Sequence, residues 1–133
     1  MTSLVVDTSI ISFLLKGHSL AQDYWERFLR RHLLAVSFMS VAELYRWPLL
    51  RGWGEKRTSD LLEHLAGYVV LPYDNAMSWE WARIMSRKGR PISTADAWIA
   101  ATALAHHAPL VTHNPRHFSG IEGLKVLSLG PTN

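Results

Sequence analysis

The sequence contains no cysteine. A disulfide-linked scaffold, a thiolate zinc site and a cysteine nucleophile are therefore excluded. It also lacks an uninterrupted apolar run of about 18 residues, which a membrane-spanning helix would need. The first residues reach Asp7 without a positively charged start, so they do not have the pattern of a secretory signal peptide. These absences favour a cytoplasmic protein that does not enter a membrane.

The net charge of the chain is only slightly positive. The 133 residues include 14 Lys and Arg against 11 Asp and Glu, which gives a formal net charge of +3. This mild basicity permits a polyanionic partner without establishing one. Apolar residues make up 48% of the chain and charged residues 19%, a composition that can bury a core. The length predicts one domain over residues 1–133.

Short β-branched runs alternate with amphipathic segments along the chain. Strands are predicted at residues 4–6, 33–37, 68–71, 110–112 and 124–127, and the intervening segments have helical periodicity. A helix opened by Ser40 is expected to end near Pro48, since proline disfavours helix before it. The alternation predicts an α/β fold, in which a mostly parallel sheet of four to five strands is covered by helices on both faces.

Three carboxylates follow strands or open helices of this pattern. Asp7 follows the first strand, and Glu43 and Asp96 each lie three residues after a serine, Ser40 or Ser93. Each also has a local explanation, because Asp7 can cap a helix and the other two can complete a helix-start box. Together they are expected at one edge of the sheet, where a divalent cation such as Mg²⁺ or Mn²⁺ would relieve their repulsion.

Four segments, in order, resemble the motifs of PIN-domain ribonucleases. They are VVDTS at 5–9, SVAEL at 40–44, TADAWIAATA at 94–103 and LVTHNPRHF at 110–118, followed by GLKV at 123–126. The resemblance spans nearly the whole chain. Within PIN domains, the sequence is most similar to the VapC toxins of prokaryotic type II toxin–antitoxin modules. It implies a PIN-like three-layer α/β/α sandwich.

The resemblance also implies an activity and partners. VapC-like proteins are Mg²⁺- or Mn²⁺-dependent endoribonucleases that cleave particular RNAs, often tRNA or rRNA, and thereby stop translation. The implied partners are the RNA substrate, a second copy of the chain in a homodimer, and a cognate VapB-like antitoxin that covers the active-site groove. No organic cofactor is implied.

The acidic positions of the family fall on Asp7, Glu43 and Asp96. Asp7 and Asp96 are predicted to ligate the metal, and Glu43 either to ligate it or to orient its bound water. The usual fourth acidic position is Asn114, which keeps a carbonyl acceptor but lacks a charge and so puts a second metal ion in doubt. His117 stands where related sequences often have Asp or Glu, and no metal role is assigned to it.

Hydroxyl groups are expected to support this site. Thr112, with Asn114, is predicted to hold water or an oxygen of the scissile phosphate. Thr8 or Ser9, at a helix N-terminus, is predicted to contact phosphate, although plain capping of the helix is the alternative.

Other features leave alternatives open. Basic residues 87–90 are expected to contact RNA or to be a solvated surface. Trp47 and Trp53 suit an antitoxin helix, base stacking or core packing. His113 and His117 have a zinc-like spacing, but Pro115 makes the required helix unfavourable. A catalytically inactive binding module on the same scaffold remains the competing function, and Asn114 is the feature in its favour.

Overall fold

The protein is described from a computed structural model, in which residues 2–131 are placed. The predicted domain of residues 1–133 therefore includes Met1, Thr132 and Asn133, which lie outside the described residues. Among residues 2–131, no helix has the length and apolarity needed to cross a membrane.

Within residues 2–131, five parallel strands form one sheet. They are β1 (Ser3–Val6), β2 (Leu33–Ser37), β3 (Val69–Leu71), β4 (Leu110–Val111) and β5 (Val126–Leu127), in the spatial order β3-β2-β1-β4-β5. The predicted strands are confirmed, although β3, β4 and β5 are one or two residues shorter than expected.

In the part of the chain that the structure describes, six helices and two short helical turns connect the strands. They are α1 (Thr8–Lys16), α2 (Ala21–Tyr24), a π turn (Trp25–Leu29), α3 (Phe38–Arg51), α4 (Glu55–Leu65), α5 (Asn75–Ser86), α6 (Thr94–Ala105) and a 3₁₀ turn (Pro115–Phe118). The predicted helix start at Ser40 is wrong. Strand β2 ends at Ser37, whose hydroxyl accepts the Met39 N–H at 3.1 Å and caps α3 there. The expected end near Pro48 is also wrong, since α3 continues to Arg51 with Pro48 buried.

The sheet separates two hydrophobic layers. Along β1, Leu4 and Val6 face one layer and Val5 faces the other, as the two-residue period of a strand requires. The first layer is covered by α1 to α4, and the second by α5 and the alanine-rich α6. The predicted α/β/α sandwich is confirmed. Its parallel strands all end at the same edge, and that edge carries the candidate site.

Candidate active site

Asp7 stands at the end of β1 with its side chain 5% exposed. Its Oδ2 accepts hydrogen bonds from Ser9 Oγ at 2.9 Å and from Thr112 Oγ1 at 2.7 Å. Asp7 occupies the N-cap position of α1, but its side chain makes no capping hydrogen bond. The capping explanation for this residue is therefore wrong, as is the expectation that Thr8 or Ser9 caps the helix. The two hydroxyl donors instead offset part of the cost of burying this carboxylate.

Glu43 lies on α3 and faces α1. Thr8 Oγ1 is 2.9 Å from Glu43 Oε1 and 2.9 Å from the Oγ of the fully buried Ser40. Thr8 is the donor in both contacts, so its single hydroxyl proton is shared between the Glu43 carboxylate and the Ser40 hydroxyl. Ser40 thus lies inside the helix and orients Thr8, so the predicted helix-start box between Ser40 and Glu43 is wrong.

Asp96 opens α6. Its backbone N–H donates to Ser93 Oγ at 3.1 Å, so the predicted cap at Ser93 is confirmed. Its carboxylate lies elsewhere, with Oδ2 3.3 Å from His117 Nδ1. No sequence pattern predicts this contact, because His117 belongs to a 3₁₀ turn that only the fold brings over α6.

The three carboxylates influence one another electrostatically. Burial raises the pKa of Asp7, hydrogen bonds from Thr112 and Ser9 offset part of that effect, and the charge of Asp96 raises it further. Burial likewise raises the pKa of Glu43, the Thr8 hydrogen bond opposes this, and both other carboxylates add to it. Within residues 2–131, the basic side chain found against these carboxylates is His117, whose contact with Asp96 is an ion pair only when the imidazole is protonated. The site therefore has an excess of negative charge.

A hard divalent cation fits this donor chemistry. Carboxylate and hydroxyl oxygens are the ligands that Mg²⁺ and Mn²⁺ take, and a cation would relieve the repulsion that raises the two pKa values. Across the described part of the chain, no three His, Asp or Glu side chains converge closely enough to form a ready-made cluster. The fit rests on the charge excess and the oxygen donors, so a bound ion would draw the carboxylates together.

The Thr112–Asn114 segment is attached to Asp7 through hydroxyls. Thr112 Oγ1 donates to Asp7 and accepts the backbone N–H of Asn114 at 3.1 Å. The backbone N–H of His113 donates to Ser9 Oγ at 3.2 Å. Thr112 is fully buried while Asn114 is exposed, so the structure brings the predicted fourth position to the rim of the site.

Two segments that were predicted to contact partners, residues 87–90 and the Trp47–Trp53 pair, make contacts within the protein itself. In the basic segment 87–90, the Arg87 guanidinium donates to the carbonyls of Ser119 and Arg90 at 3.1 and 3.3 Å, and Arg90 donates to Ser119 Oγ at 3.0 Å. These bonds fasten the loop to the segment after the 3₁₀ turn. Trp47 and Trp53 are half-buried with ring centroids 6.5 Å apart, so core packing accounts for much of their surface.

The sequence resembles a known protein family and known proteins over most of its length. The family profile of the PIN domain matches residues 4–124. The chain is 30% identical over 126 residues to Ribonuclease VapC1 of Haemophilus influenzae strain R2866, which covers 91% of this chain and 93% of that protein. It is 27% identical over 129 residues to the tRNA(fMet)-specific endonuclease VapC of Shigella flexneri, covering 94% of this chain and 96% of that one.

A solved structure supports the same assignment. The structure of VapBC-1 from nontypeable Haemophilus influenzae is 27% identical to this chain, with a TM-score of 0.79 and coverage of 96% of this chain and 98% of that one. Motifs, strand order and site geometry agree with these similarities. The chain belongs to the PIN-domain family, among the VapC ribonucleases.

Proposed function

We propose that this protein is a metal-dependent endoribonuclease, the toxin of a VapBC-type module, which hydrolyses phosphodiester bonds of a specific tRNA or rRNA and so inhibits translation. The observation that carries the proposal is the buried Asp7 carboxylate. Two hydroxyls fix it at the sheet edge, and burial, with a further contribution from neighbouring carboxylates, raises its pKa and that of Glu43. Such an arrangement costs folding free energy, and a catalytic site accounts for that cost.

Each residue of the candidate site has a different proposed role. Asp7 and Asp96 would hold Mg²⁺ or Mn²⁺, with Glu43 as a further ligand or as the group that orients the attacking water. When bound, such an ion lowers the pKa of water and neutralises charge on the phosphate. Thr8 fixes the Glu43 carboxylate, and Ser9 and Thr112 fix that of Asp7.

The proposed function as a VapC-type toxin implies several binding partners. We propose RNA as substrate, a VapB-like antitoxin as inhibitor, a homodimer as the working form and the cytoplasm as its location, with residues 1–133 acting as one domain. The solved structure of VapBC-1 from nontypeable Haemophilus influenzae supports a VapB-like partner. The tRNA(fMet)-specific relative from Shigella flexneri supports tRNA as the first substrate to test.

The test is cleavage of total bacterial RNA by purified, antitoxin-free protein in Mg²⁺, in Mn²⁺ and in EDTA. Discrete fragments that require metal and disappear in Asp7→Asn are expected. Asp60→Asn is the matched control, because Asp60 is an exposed aspartate in an ion pair with Lys56 on α4. Equal cleavage by wild type and Asp7→Asn would contradict the assigned site.

The competing function is a catalytically inactive binding module. Asn114, in place of an acidic residue, is the observation in its favour. Folded wild type that binds RNA without cutting it under any metal condition would support this alternative. Gain of cleavage in Asn114→Asp would then identify the lost charge as the cause.

A further inference from the structure

A cavity of about 760 Å³, here named the distal cavity, lies at the opposite edge of the sheet from the candidate site. Its wall includes Pro109 and Lys125, which directly precede β4 and β5 and so mark the amino ends of these strands. Asp7 and Thr112, by contrast, follow the carboxyl ends of β1 and β4. The second half of α5, the end of α6 and residues 120–123 complete the wall. Small-molecule sites have volumes of roughly 300–1,000 Å³, so the cavity is large enough for such a ligand.

Two cations in the wall of the distal cavity have no anionic partner. The exposed Lys125 forms no ion pair within residues 2–131, and Arg87 forms none either. Two uncharged backbone carbonyls hold the Arg87 guanidinium and use one N–H on each of its terminal nitrogens. The guanidinium is thus fixed in place while its charge stays uncompensated. A fixed guanidinium beside a free ammonium group is suited to binding a phosphate.

The acidic residues of the wall do not cancel this positive charge. Glu80 forms an ion pair with Arg83 at 2.7 Å, so these two side chains neutralise each other. Glu122 is exposed and has no ion pair in the part of the chain that the structure describes. Set against Arg87 and Lys125, Glu122 leaves the cavity with a net positive charge. Its oxygens are acceptors of the kind that bind the hydroxyl groups of a sugar.

The rest of the wall is largely apolar and carries one aromatic ring. Leu104 and Ile121 supply apolar surface, and the ring belongs to the exposed His107. His107 has a φ of +52°, the left-handed conformation that the end of a helix usually gives to glycine. A histidine is more strained there than a glycine would be. Its ring, however, offers a face on which a nucleobase can stack.

We propose that the distal cavity binds a nucleotide, with its phosphate at Arg87 and Lys125 and its base against Leu104 and the ring of His107. The nucleotide is either free or the phosphorylated end of an RNA strand, since both present the same groups. This second site does not depend on the proposed ribonuclease function, because it shares no residue with the candidate site. Asp96 and Leu104 lie eight residues apart on α6, about 12 Å along its axis.

Binding is measured by isothermal titration calorimetry with AMP, GMP, CMP and UMP, in EDTA so that no metal ion holds a nucleotide at the candidate site. At least one nucleotide is expected to bind about tenfold more tightly than its nucleoside and than inorganic phosphate. In ¹H–¹⁵N spectra, the bound nucleotide should shift the amide signals of Gly120 and Gly123, which line the cavity. Absence of binding by all four nucleotides at millimolar concentration would overturn the proposal. Equal affinity for a nucleotide and its nucleoside would overturn the role of the two cations.

Two variants test the phosphate contact and the base contact separately. Lys125→Ala is expected to weaken nucleotide binding about tenfold, because it removes a charged donor. His107→Asn is expected to weaken it about fivefold, since asparagine tolerates the left-handed backbone but lacks the ring. Lys88→Ala and His106→Asn are the matched controls, because both residues are exposed and lie outside the cavity wall. Wild-type affinity in both cavity variants, with unchanged melting temperatures, would contradict the proposed site.

A short RNA with and without a 5′-phosphate, added as a competitor in EDTA, distinguishes the two sources of the nucleotide. Competition by the phosphorylated strand alone would assign the strand end, and competition by neither would assign a free nucleotide. Asp7→Asn is expected to bind the nucleotide like wild type. Loss of binding in this variant would place the nucleotide at the candidate site and refute a second site. Because nucleotide binding is measured without cleavage, failure of the ribonuclease proposal would leave this result unaffected.

Discussion

Replacing Asp7 by asparagine should stabilise the metal-free protein at neutral pH. Both hydrogen bonds to this side chain, from Ser9 and Thr112, end on the same atom, Oδ2. An asparagine with its amide oxygen at that position keeps both bonds, so the substitution removes the charge and little else. The effect on stability therefore reports the cost of burying that charge next to other carboxylates.

The direction and magnitude of this stability change follow from the linkage between protonation and folding. The folded-state pKa of Asp7 is raised above its ordinary value of 3.8, mainly by burial, so the folded protein favours the protonated form. The associated stability is fully present below that ordinary value and is lost as the pH rises through the folded-state pKa. Because two hydrogen bonds offset part of the desolvation, we expect a gain of about 1–2 kcal/mol for Asp7→Asn, or about 3–6 °C in Tm.

The assay is thermal unfolding in EDTA between pH 4 and pH 8 for wild type, Asp7→Asn and the control Asp60→Asn. The advantage of Asp7→Asn should shrink as the pH falls, while Asp60→Asn should stay within about 0.5 kcal/mol of wild type. A lower Tm for Asp7→Asn at pH 7 would refute the reasoning, since it would mean that the ionised carboxylate stabilises the fold.

Three further changes test the site and its supports. Mg²⁺ or Mn²⁺ should raise the Tm of wild type more than that of Asp96→Asn, and equal shifts would place the metal elsewhere. Ser37→Ala should lower the free energy of unfolding by about 1–2 kcal/mol in urea titrations, because Ser37 caps α3 and bonds to the buried Thr102 at 2.9 Å. Gly130→Ala should lower the free energy of unfolding by about 1–3 kcal/mol in the same assay, because the new Cβ would meet the carbonyl of His113. The NMR signals of His113 should shift as well, and an unchanged spectrum would contradict the close packing.

Local signals in the sequence predicted the strands and the family but misplaced the start of α3. The pattern of a serine followed three residues later by glutamate at Ser40 and Glu43 suits a helix start, yet Ser37 is the cap. The pairing of β2 with β3 extends the strand to Ser37, so the helix has to begin directly after it. Ser93 is followed three residues later by an aspartate, Asp96, and does cap α6, since an irregular loop precedes it.

Tertiary packing accounts for what the sequence could not show. A proline usually breaks a helix, but Pro48 is buried near the end of α3. Its carbonyl accepts the N–H of Gly52 and that of Trp53. The contact of Asp96 with His117 and that of Tyr24 with His113 join residues 21 and 89 positions apart. No periodicity or spacing rule records such distances, so the candidate carboxylates and their supporting hydroxyls were predictable, whereas these two histidine contacts were not.

The strand order also sets the time at which the active site can form during synthesis. β1 is made first and lies between β2 and β4, and the hydroxyl that fixes Asp7 comes from Thr112, 105 residues later. At roughly 5–20 residues per second, about 5–20 s separate the synthesis of the two residues. Until β4 has emerged and docked, a nascent chain holds Asp7 without its partner. The proposed nuclease is thus completed only after Thr112 has been made and β4 has docked, and the ribosome that makes it is spared an active toxin for that interval.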